Sequence, residues 1–564
     1  MDMHAKPQDK HTDQWVFHLT GKRKGDGLAP IDGLDLRPAL MAPYRDLGAL
    51  RHDFPLVLAN RGAGGGVLCS LSSLIDETLR EVAPRGVEGE RLRRHGLQIE
   101  EGIRRMVAAG TGGTLAELWD KAAAPIAARE GEALEQVLQR AGGALPADGQ
   151  VLGCTAEMPA QVMKHLWRAA QREKARGFMV DLARLVQKLS DILRAAHLHS
   201  QSGREAGALK ASIGGAHQAA FDFSALSRIV GKGAPRDELP PARRARVTWA
   251  LGVLEAQRFH PHAHIGDAQG DASEVYDFIF EDCASAMKAF RERLPALAEV
   301  VKAMAIAELE IRGAYVEAEH DPFFEAFGEN TLTGDELDRF PPYLVCIPPG
   351  RNDSPENASL MDMLSSGLPV KALVQTDDLF DESSIGTGHF AFGVRSARLA
   401  TTAMGLGGMY VLQDAASNLV AVRDDIARGM ACKGPALFSV FTGTEQPATH
   451  LPPYLVAAAA MQSRAFPAFC YDAQAGDNWA QRFSLENNPA PEDDWSVETL
   501  DYSDDALQRA SATVAFTYPD YVFCDSRHAS HFALVPRGRW GDDMMPVADW
   551  LVLPNAETSQ RVPY

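Results

Sequence analysis

The chain has 564 residues, 46% hydrophobic and 23% charged, which is typical of a globular protein of about two to four domains. The formal net charge of −19 disfavours binding to nucleic acid or to an anionic membrane, since both are negative. The seven cysteines stand at least 38 residues apart, so no closely spaced pair predicts a zinc or iron–sulfur site. Because no apolar leader and no run of about 18 apolar residues occurs, we expect a cytoplasmic protein.

The N-terminal part is predicted to contain a lead-in segment and one small unit. Residues 1–50 mix charged residues with glycine and proline, and residues 51–90 read as a strand, a glycine loop and a helix that begins at serines. The predicted strand is Phe54–Ala59, and the loop contains Gly62, Gly64, Gly65 and Gly66. Such a loop can bind an anion at the start of a helix, or it can be a tight turn. It fits neither common phosphate-binding consensus, which favours the turn.

Residues 91–340 form a mostly helical region, in which two apolar stripes predict core-facing helices. A basic run, PARRARVTW from Pro241, predicts the charged start of a helix on a solvated face, or alternatively an anion contact. The first stripe, with steps of four and three residues, consists of Phe178, Leu182, Leu185, Leu189 and Ile192. The second stripe begins beside Pro295 and consists of Leu297, Val300, Val301, Met304 and Leu309.

Between the two stripes lies a histidine-rich segment, RFHPHAHIGDAQGD. His260, His262 and His264 alternate along it, and Asp267 follows. On a strand this spacing would place three imidazoles on one face, where they could bind zinc or another borderline metal. The proline and glycines of the segment instead favour a loop whose histidines face water.

From residue 341 to about 475, short apolar strands alternate with helices. This pattern predicts an α/β domain with a doubly wound parallel sheet. Ligands of such sheets bind at the carboxyl ends of the strands. The predicted strand ends are Ile347, Gln375, Leu412 and Phe441. We therefore expect a site built from residues 348–357, 376–384, 413–418 and 442–446.

Four segments of this domain carry a resemblance to a known family. They are, in chain order, SLMDMLSSGLPVKALVQTDD, LATTAMGLGGMYVLQDAASN, DDIARGMACKGPALFSVFTG and AAAAMQSRAFPAFCYD. Together they resemble the thiamine diphosphate domain of the pyruvate:ferredoxin (flavodoxin) oxidoreductases, within the 2-oxoacid:acceptor oxidoreductase family. The similarity covers residues 343–472, under a quarter of the chain.

The resemblance implies a domain that binds thiamine diphosphate through Mg²⁺ and a pyruvate-type 2-oxoacid that undergoes oxidative decarboxylation. In that family the electrons pass to iron–sulfur clusters. The cysteine spacing predicts no iron–sulfur cluster within this chain, and no segment resembles the domain that activates the thiamine ring. We therefore expect an oligomeric, multi-subunit protein with a partner subunit or domain that bears the clusters.

Aligning the family's cofactor loops with this sequence assigns candidate site residues. The family's Gly-Asp-Gly turn falls on Pro348, Pro349 and Gly350, and proline supplies neither a carboxylate nor an N–H. Its Asn-Thr-Gly-Gly loop falls on residues 382–385, which keep a hydroxyl but lose the amide and the glycines. The candidate cofactor-binding residues are Gly350, Asn352, Asp353, Asp377 and Ser383, the candidate metal ligands are Asp377 and Asp381, and Asp378 and Glu382 lie beside them.

These departures leave two interpretations open. The loop acids form a rearranged Mg²⁺ site in a working oxidoreductase, or they are solvated acids in a degenerate, non-catalytic scaffold or regulatory member of the family. A phosphate-binding protein acting through residues 62–66 ranks third. No residue is assigned to catalysis, because His450, His528 and His531 have no partner at a recognisable spacing.

The last part of the chain, residues 476–564, is predicted to be an extension of the α/β domain. Its start is acidic, aromatic and rich in proline, and Trp479, Phe483 and Trp495 either anchor it on the sheet or form an interface strap. The apolar-flanked ending LVLPNAETSQRVPY indicates that the chain is a fragment of a longer protein.

Overall fold

A computed structural model of the chain describes residues 17, 22, 54–59, 68–200, 202–212, 221–230, 239–261, 275–349, 354–380, 396–444, 451–503, 506–529, 532–533, 541–545, 553–554 and 561–563. Within these residues the chain forms a smaller hydrophobic core in an N-terminal unit and a larger one around a seven-stranded sheet. No helix in this part of the chain is both long enough and apolar enough to cross a membrane.

The N-terminal unit combines a three-stranded antiparallel sheet, in the order β2-β1-β3, with four helices. Val57 and Ala59 of the central strand belong to the smaller core, whereas Leu56 and Leu58 belong to the larger one. This alternation places a different core on each face of the sheet. The elements are β1 (Leu56–Ala59), β2 (Leu68–Ser70), α1 (Leu71–Val82), α2 (Val87–Ala108), α3 (Leu115–Glu130), α4 (Glu132–Gly143) and β3 (Gly149–Leu152).

Three sequence predictions fall within this unit. Ser70 caps α1, since its hydroxyl accepts a hydrogen bond from the Ser73 N–H at 3.2 Å, as the serines at the helix start indicated. The predicted glycine loop, Gly62 and Gly64 to Gly66, and nearly all of the lead-in 1–50 lie outside the described residues. β3 lies within the region predicted to be mostly helical and pairs with β1, a long-range contact that local periodicity does not reveal.

A group of helices packs between the small sheet and the large one. The predicted stripe of the longest helix is buried at Phe178, Leu182, Leu185 and Leu189 and partly buried at Ile192. The second stripe is buried except at Leu309, which is partly buried. Its helix begins at Cys283, where Asp282 caps it, and continues through Pro295. The elements are α5 (Met158–His199), α6 (Ala206–Ser212), α7 (Phe223–Val230), α8 (Pro241–Glu255), β4 (Ile279–Phe280), α9 (Cys283–Arg312), α10 (Glu317–Ala326) and α11 (Gly334–Leu337).

The large sheet has the strand order β10-β9-β7-β8-β6-β5-β4, with β4 to β8 parallel. β9 runs antiparallel to β7, and β10 antiparallel to β9, so the sheet is mostly but not wholly parallel. The α/β class is thus as predicted. The elements are β5 (Tyr343–Ile347), α12 (Ser354–Ser365), β6 (Val370–Thr376), α13 (Ser396–Met404), β7 (Tyr410–Ala415), α14 (Arg423–Ala431), β8 (Ala436–Phe441), α15 (Pro453–Gln462), β9 (Phe469–Asp472), α16 (Trp479–Arg482) and β10 (Phe483–Ser484).

The strand register and the crossover rule define a crevice at one edge of this sheet. A Cβ added to Gly429 of α14 would lie 2.6 Å from the Tyr410 ring and 2.8 Å from Phe438, so α14 packs directly on the face that carries these rings. The β6-to-β7 and β7-to-β8 connections run in opposite directions across the sheet, and right-handed crossovers then place α13 on the other face. β6 and β7 therefore send the chain to opposite faces, and β8 lies between them in the sheet, so a crevice opens at the carboxyl ends of these strands.

The C-terminal extension joins the sheet through β10 and through one tryptophan. Phe483 lies in β10 at the sheet edge, with its ring 5.5 Å from that of Phe469, and the Trp479 ring lies 5.3 Å from that of Tyr471 in β9. Two of the three predicted anchors therefore contact the sheet, while Trp495 is 38% exposed. The remaining elements are β11 (Val497–Ser503), β12 (Arg509–Ala515), α17 (Tyr518–Phe523), α18 (Ser526–Ala529), β13 (Met544–Met545) and β14 (Val562–Pro563).

Candidate functional site

The carboxyl ends of β7, β8, β6 and β5 lie side by side at one edge of the sheet. These strands end at Ala415, Phe441, Thr376 and Ile347, close to the ends predicted from the sequence. The turns that follow carry carboxylate, hydroxyl and amide side chains. Because ligands of parallel sheets bind at this edge, it is the candidate functional site.

The structure places one of the predicted site residues directly, since Asp377 follows the last residue of β6. The other candidates lie outside the described residues; they are Gly350, Asn352, Asp353, Asp381 and Ser383. Glu382 also lies outside them.

Asp377 is buried and is held by the turn that follows β8. Its Oδ1 accepts hydrogen bonds from the hydroxyls of Thr442 and Thr444, the second at 3.3 Å. The main chain joins the same strands, since the Thr442 N–H donates to the Thr376 carbonyl at 2.8 Å. Between the two threonines, Gly443 has a φ of 64°, a conformation that favours glycine and turns the second hydroxyl back towards the carboxylate. The Thr-Gly-Thr turn thus fixes Asp377 against the end of β8.

Asp378, the next residue, forms an ion pair with Arg527 of α18. The guanidinium donates from Nη1 to Oδ2 at 2.7 Å and from Nη2 to Oδ1 at 2.8 Å, which is a bidentate pair. The Arg527 Nε donates to both oxygens of Asp525, at 2.9 and 3.0 Å. Asp525 is almost fully buried, at 1% exposure. One arginine therefore joins a carboxylate at the sheet edge to a buried carboxylate of the extension.

The charges of this triad, Asp378–Arg527–Asp525, stabilise one another. The hydrogen bonds that Arg527 donates to Asp378 and Asp525 raise the pKa of Arg527 above its usual value. Burial acts to raise the pKa of Asp525, but the hydrogen bonds from the side chain and backbone of Arg527 outweigh it and hold that pKa below its usual value. Asp525 and Arg527 are therefore ionised at neutral pH.

Aromatic packing holds the same segment, residues 516–529, against the sheet. The Tyr521 ring is buried, with its centroid 5.5 Å from that of Phe380 and 6.4 Å from that of Phe441. The His528 ring lies edge-on to Phe380 at 5.1 Å. Residues 516–529 therefore cover the carboxyl ends of β6 and β8. The sequence reasoning did not identify this cover, although the aromatic run from Phe516 to Phe523 was a signal for it.

On the β7 side of the crevice, Asp414 is fully buried within a network of amides. It accepts hydrogen bonds from the Ala415 N–H at 2.7 Å and from the Asn418 side chain at 3.0 and 3.1 Å. The Asn418 amide also donates to the Asn487 carbonyl at 3.3 Å, and the Asn487 side chain donates to Asp425 at 2.9 Å. Despite the hydrogen bonds to its carboxylate, burial raises the pKa of Asp414 to about 8. The sequence reasoning did not single out this acid, because it lies inside an apolar strand.

Four buried polar atoms near this edge have no hydrogen-bond partner among the described residues, although the Gln413 Nε2 donates to the Pro467 carbonyl. Gln413 and Ser439 face the same side of the sheet, since they are paired across β7 and β8. All of these groups are neutral, so they offer polar contacts but no charge for a cation. The atoms are Thr376 Oγ1, Gln413 Oε1, Ser417 Oγ and Ser439 Oγ.

The described residues do not fit a Mg²⁺–diphosphate unit. Mg²⁺ usually takes one or two carboxylates together with phosphate oxygens and waters. Here Asp377 is already hydrogen-bonded by two hydroxyls, Asp378 is ion-paired with Arg527, and Pro348 and Pro349 follow β5. Among the residues that the structure describes, no three His, Cys, Asp or Glu side chains form a group that could hold a metal ion.

The histidine segment was predicted to be a loop whose histidines face water, and the structure differs from this prediction at His260. His260 does not face water, since it is 1% exposed and its ring lies 4.6 Å from that of Phe178. Its Nε2 lies 3.1 Å from the Arg339 carbonyl, and burial lowers the pKa of His260 to about 4. His260 is therefore a neutral core residue that bonds to the backbone. His262, His264 and Asp267 lie outside the described residues.

Comparison of the sequence with protein-family models and with curated proteins finds no match.

Proposed function

We propose that the chain is a non-catalytic structural subunit related to the 2-oxoacid:acceptor oxidoreductases, which keeps their α/β frame and closes the cofactor edge with its own C-terminal segment. The observation that carries this proposal is the bidentate pair between Asp378 and Arg527. It ties residues 516–529 over the carboxyl ends of β6 and β8, where a ligand of a parallel sheet would bind.

The charge balance at the edge supports the same function. A metal ion could bind Asp378 only by displacing Arg527, which separates an ion pair whose arginine also holds the buried Asp525. Separating these charges costs free energy, which would therefore weaken the binding of any cofactor that used Asp378.

The alternative function is the enzymatic one. In it, the chain is part of a pyruvate-type 2-oxoacid:ferredoxin or flavodoxin oxidoreductase, binds thiamine diphosphate through Mg²⁺, and depends on an iron–sulfur partner. The convergence of Asp377, Thr442 and Thr444 favours this alternative, because it gathers three oxygens at the end of β6. Hard oxygen ligands are the kind that Mg²⁺ prefers, although a single carboxylate is a weak site.

Calorimetric titration with thiamine diphosphate, with and without Mg²⁺, separates the two functions. The proteins compared are the wild-type chain, Arg527→Ala, and Asp377→Ala. The structural function predicts no binding heat at millimolar cofactor in any of them. Metal-dependent binding to the wild type that Asp377→Ala weakens would establish the enzymatic alternative. Binding that appears only in Arg527→Ala would reveal a working cofactor site under the segment, and would overturn the non-catalytic proposal.

A further inference from the structure

Lys371 is a fully buried lysine inside the central strand β6. Its Nζ donates to the Cys432 carbonyl at 2.6 Å and to the Gly434 carbonyl at 2.8 Å, and it lies 2.9 Å from the Cys432 Sγ. All three contacts are with the segment that joins α14 to β8, and none of them is a carboxylate. The lysine nitrogen and the cysteine sulfur are therefore in direct contact.

Burial gives the amine of Lys371 nucleophilic character. Removing an ammonium group from water disfavours its charge, and burial lowers the pKa of Lys371 accordingly. The charge of Cys432 acts in the opposite direction but is the smaller influence. A larger share of Lys371 is therefore the neutral amine, whose lone pair can attack an electrophilic sulfur.

Cys432 differs from the other free cysteines in its surroundings. Cys283, Cys346 and Cys470 are buried, whereas Cys432, like Cys69, is partly exposed, so a small oxidant can approach this residue from solvent. Cys154 and Cys524 are also partly exposed, but burial raises the pKa of each thiol to about 12, which suppresses the reactive thiolate. Among the described cysteines, Cys432 alone has a lysine nitrogen within 3 Å of its sulfur.

We propose that Lys371 and Cys432 form a redox-sensitive pair, in which a hydroperoxide oxidises the thiol and the lysine amine then captures the sulfur as a sulfenamide. In the first step the sulfur attacks the hydroperoxide, the O–O bond breaks, and Cys432 becomes a sulfenic acid while water or an alcohol leaves. In the second step Nζ attacks the sulfur, the S–O bond breaks, an S–N bond forms, and the hydroxyl leaves as water with a proton from the nitrogen.

The fold makes this link accessible and reversible. The two atoms already touch, so bond formation needs no movement of β6 relative to the α14–β8 segment. The link protects the sulfur from further oxidation to the irreversible sulfinic and sulfonic acids. A free thiol that attacks the sulfur breaks the S–N bond, returns the proton to the lysine and regenerates the pair after a second exchange. This proposal is independent of what binds at the carboxyl edge of the sheet.

Peptide mass spectrometry of the full chain tests the proposal. The purified protein is treated with hydrogen peroxide, its remaining thiols are alkylated, and it is digested with trypsin. We expect one cross-linked species that joins the Lys371 and Cys432 peptides, lighter than their sum by two hydrogen atoms, uncleaved after Lys371 and lost on treatment with dithiothreitol. Sulfinic or sulfonic Cys432 with normal cleavage after Lys371 would overturn the proposal.

Two variants make the result specific. Cys432→Ser keeps a hydrogen-bonding group beside Lys371 and should abolish the cross-link, while Cys524→Ser, a matched partly exposed cysteine, should leave it unchanged. A thermal melt of each variant shows whether it is folded before oxidation. A cross-link of Lys371 that persists in folded Cys432→Ser would also overturn the assignment.

Discussion

Replacing Arg527 with alanine should release residues 516–529 from the sheet edge without unfolding the rest of the chain. Asp525 is 1% exposed, and the substitution leaves its carboxylate with the backbone N–H of residue 527 as its described donor. Removing one partner of a buried pair costs about 3–5 kcal/mol. The Asp378 pair adds at most about 1 kcal/mol, because both of its side chains are about a third exposed.

Hydrogen exchange measures this local effect. A cost of about 3–5 kcal/mol corresponds to an increase of roughly 100- to 5,000-fold in the exchange rate of amides that open with the segment. Mass spectrometry of peptides within residues 516–529 should show this rise, while peptides of β6 and β8 stay protected. Arg527→Lys keeps the positive charge but loses the bidentate hydrogen bonding, so it should give an exchange rate between those of the wild type and Arg527→Ala.

Arg509→Ala provides the matched control. The Arg509–Asp501 pair lies in the β11–β12 hairpin, and its side chains are 83% and 50% exposed. Removing it should leave the exchange of residues 516–529 unchanged. If Arg527→Ala also leaves that exchange unchanged, or if it accelerates exchange equally in the sheet strands, the triad is not what holds the segment.

Acid should loosen the same segment. The pKa of Asp525 is lowered in the fold, so its ion pair contributes stability that is present above the unfolded pKa of about 3.9. That stability is lost as the pH falls through the lower, folded pKa. Exchange in residues 516–529, corrected for its intrinsic pH dependence, should therefore stay constant down to about pH 4 and rise below it. Arg527→Ala should lack this transition.

Three further substitutions test other parts of the structure by urea denaturation. Glu310→Ala should cost about 3 kcal/mol, because it removes a carboxylate, 1% exposed, that pairs with the Arg243 Nε at 2.7 Å. Gly429→Ala should cost about 1–3 kcal/mol, since its Cβ would lie 2.6 Å from the Tyr410 ring. Burial raises the pKa of Asp414 to about 8, so the free energy of unfolding should fall as the pH rises from about 4 to 8, a trend that Asp414→Asn removes.

The sheet strands and the long helices could be predicted because their signals are local. The apolar runs that end at Ile347 and Phe441 are buried strands with those same ends, and the stripe from Phe178 to Leu189 faces the core. Burial of a continuous run or of a helical stripe depends on residues a few positions apart, which the sequence shows directly.

Contacts between distant segments could not be predicted in the same way. The basic run from Pro241 is the start of a helix, as predicted, but the sequence does not show that two of its arginines, Arg243 and Arg246, pair with the buried Glu310. These partners lie 67 and 64 residues apart in the chain, so no periodicity links them. His260 was likewise expected to face water, because the loop composition around it gave no sign of the rings of Phe178 and Phe340.

Two adjacent residues of the candidate site also have partners that the sequence does not reveal. From the sequence, Asp377 and Asp378 are indistinguishable acids after one strand, and both contribute to a negative charge that would repel a diphosphate. In the structure, Asp377 is held by hydroxyls from the turn after β8, while Asp378 is neutralised by an arginine 149 residues away. The proposed function attributes the closure of this edge to residues 516–529 rather than to charge repulsion, and a single substitution at Arg527 tests that distinction.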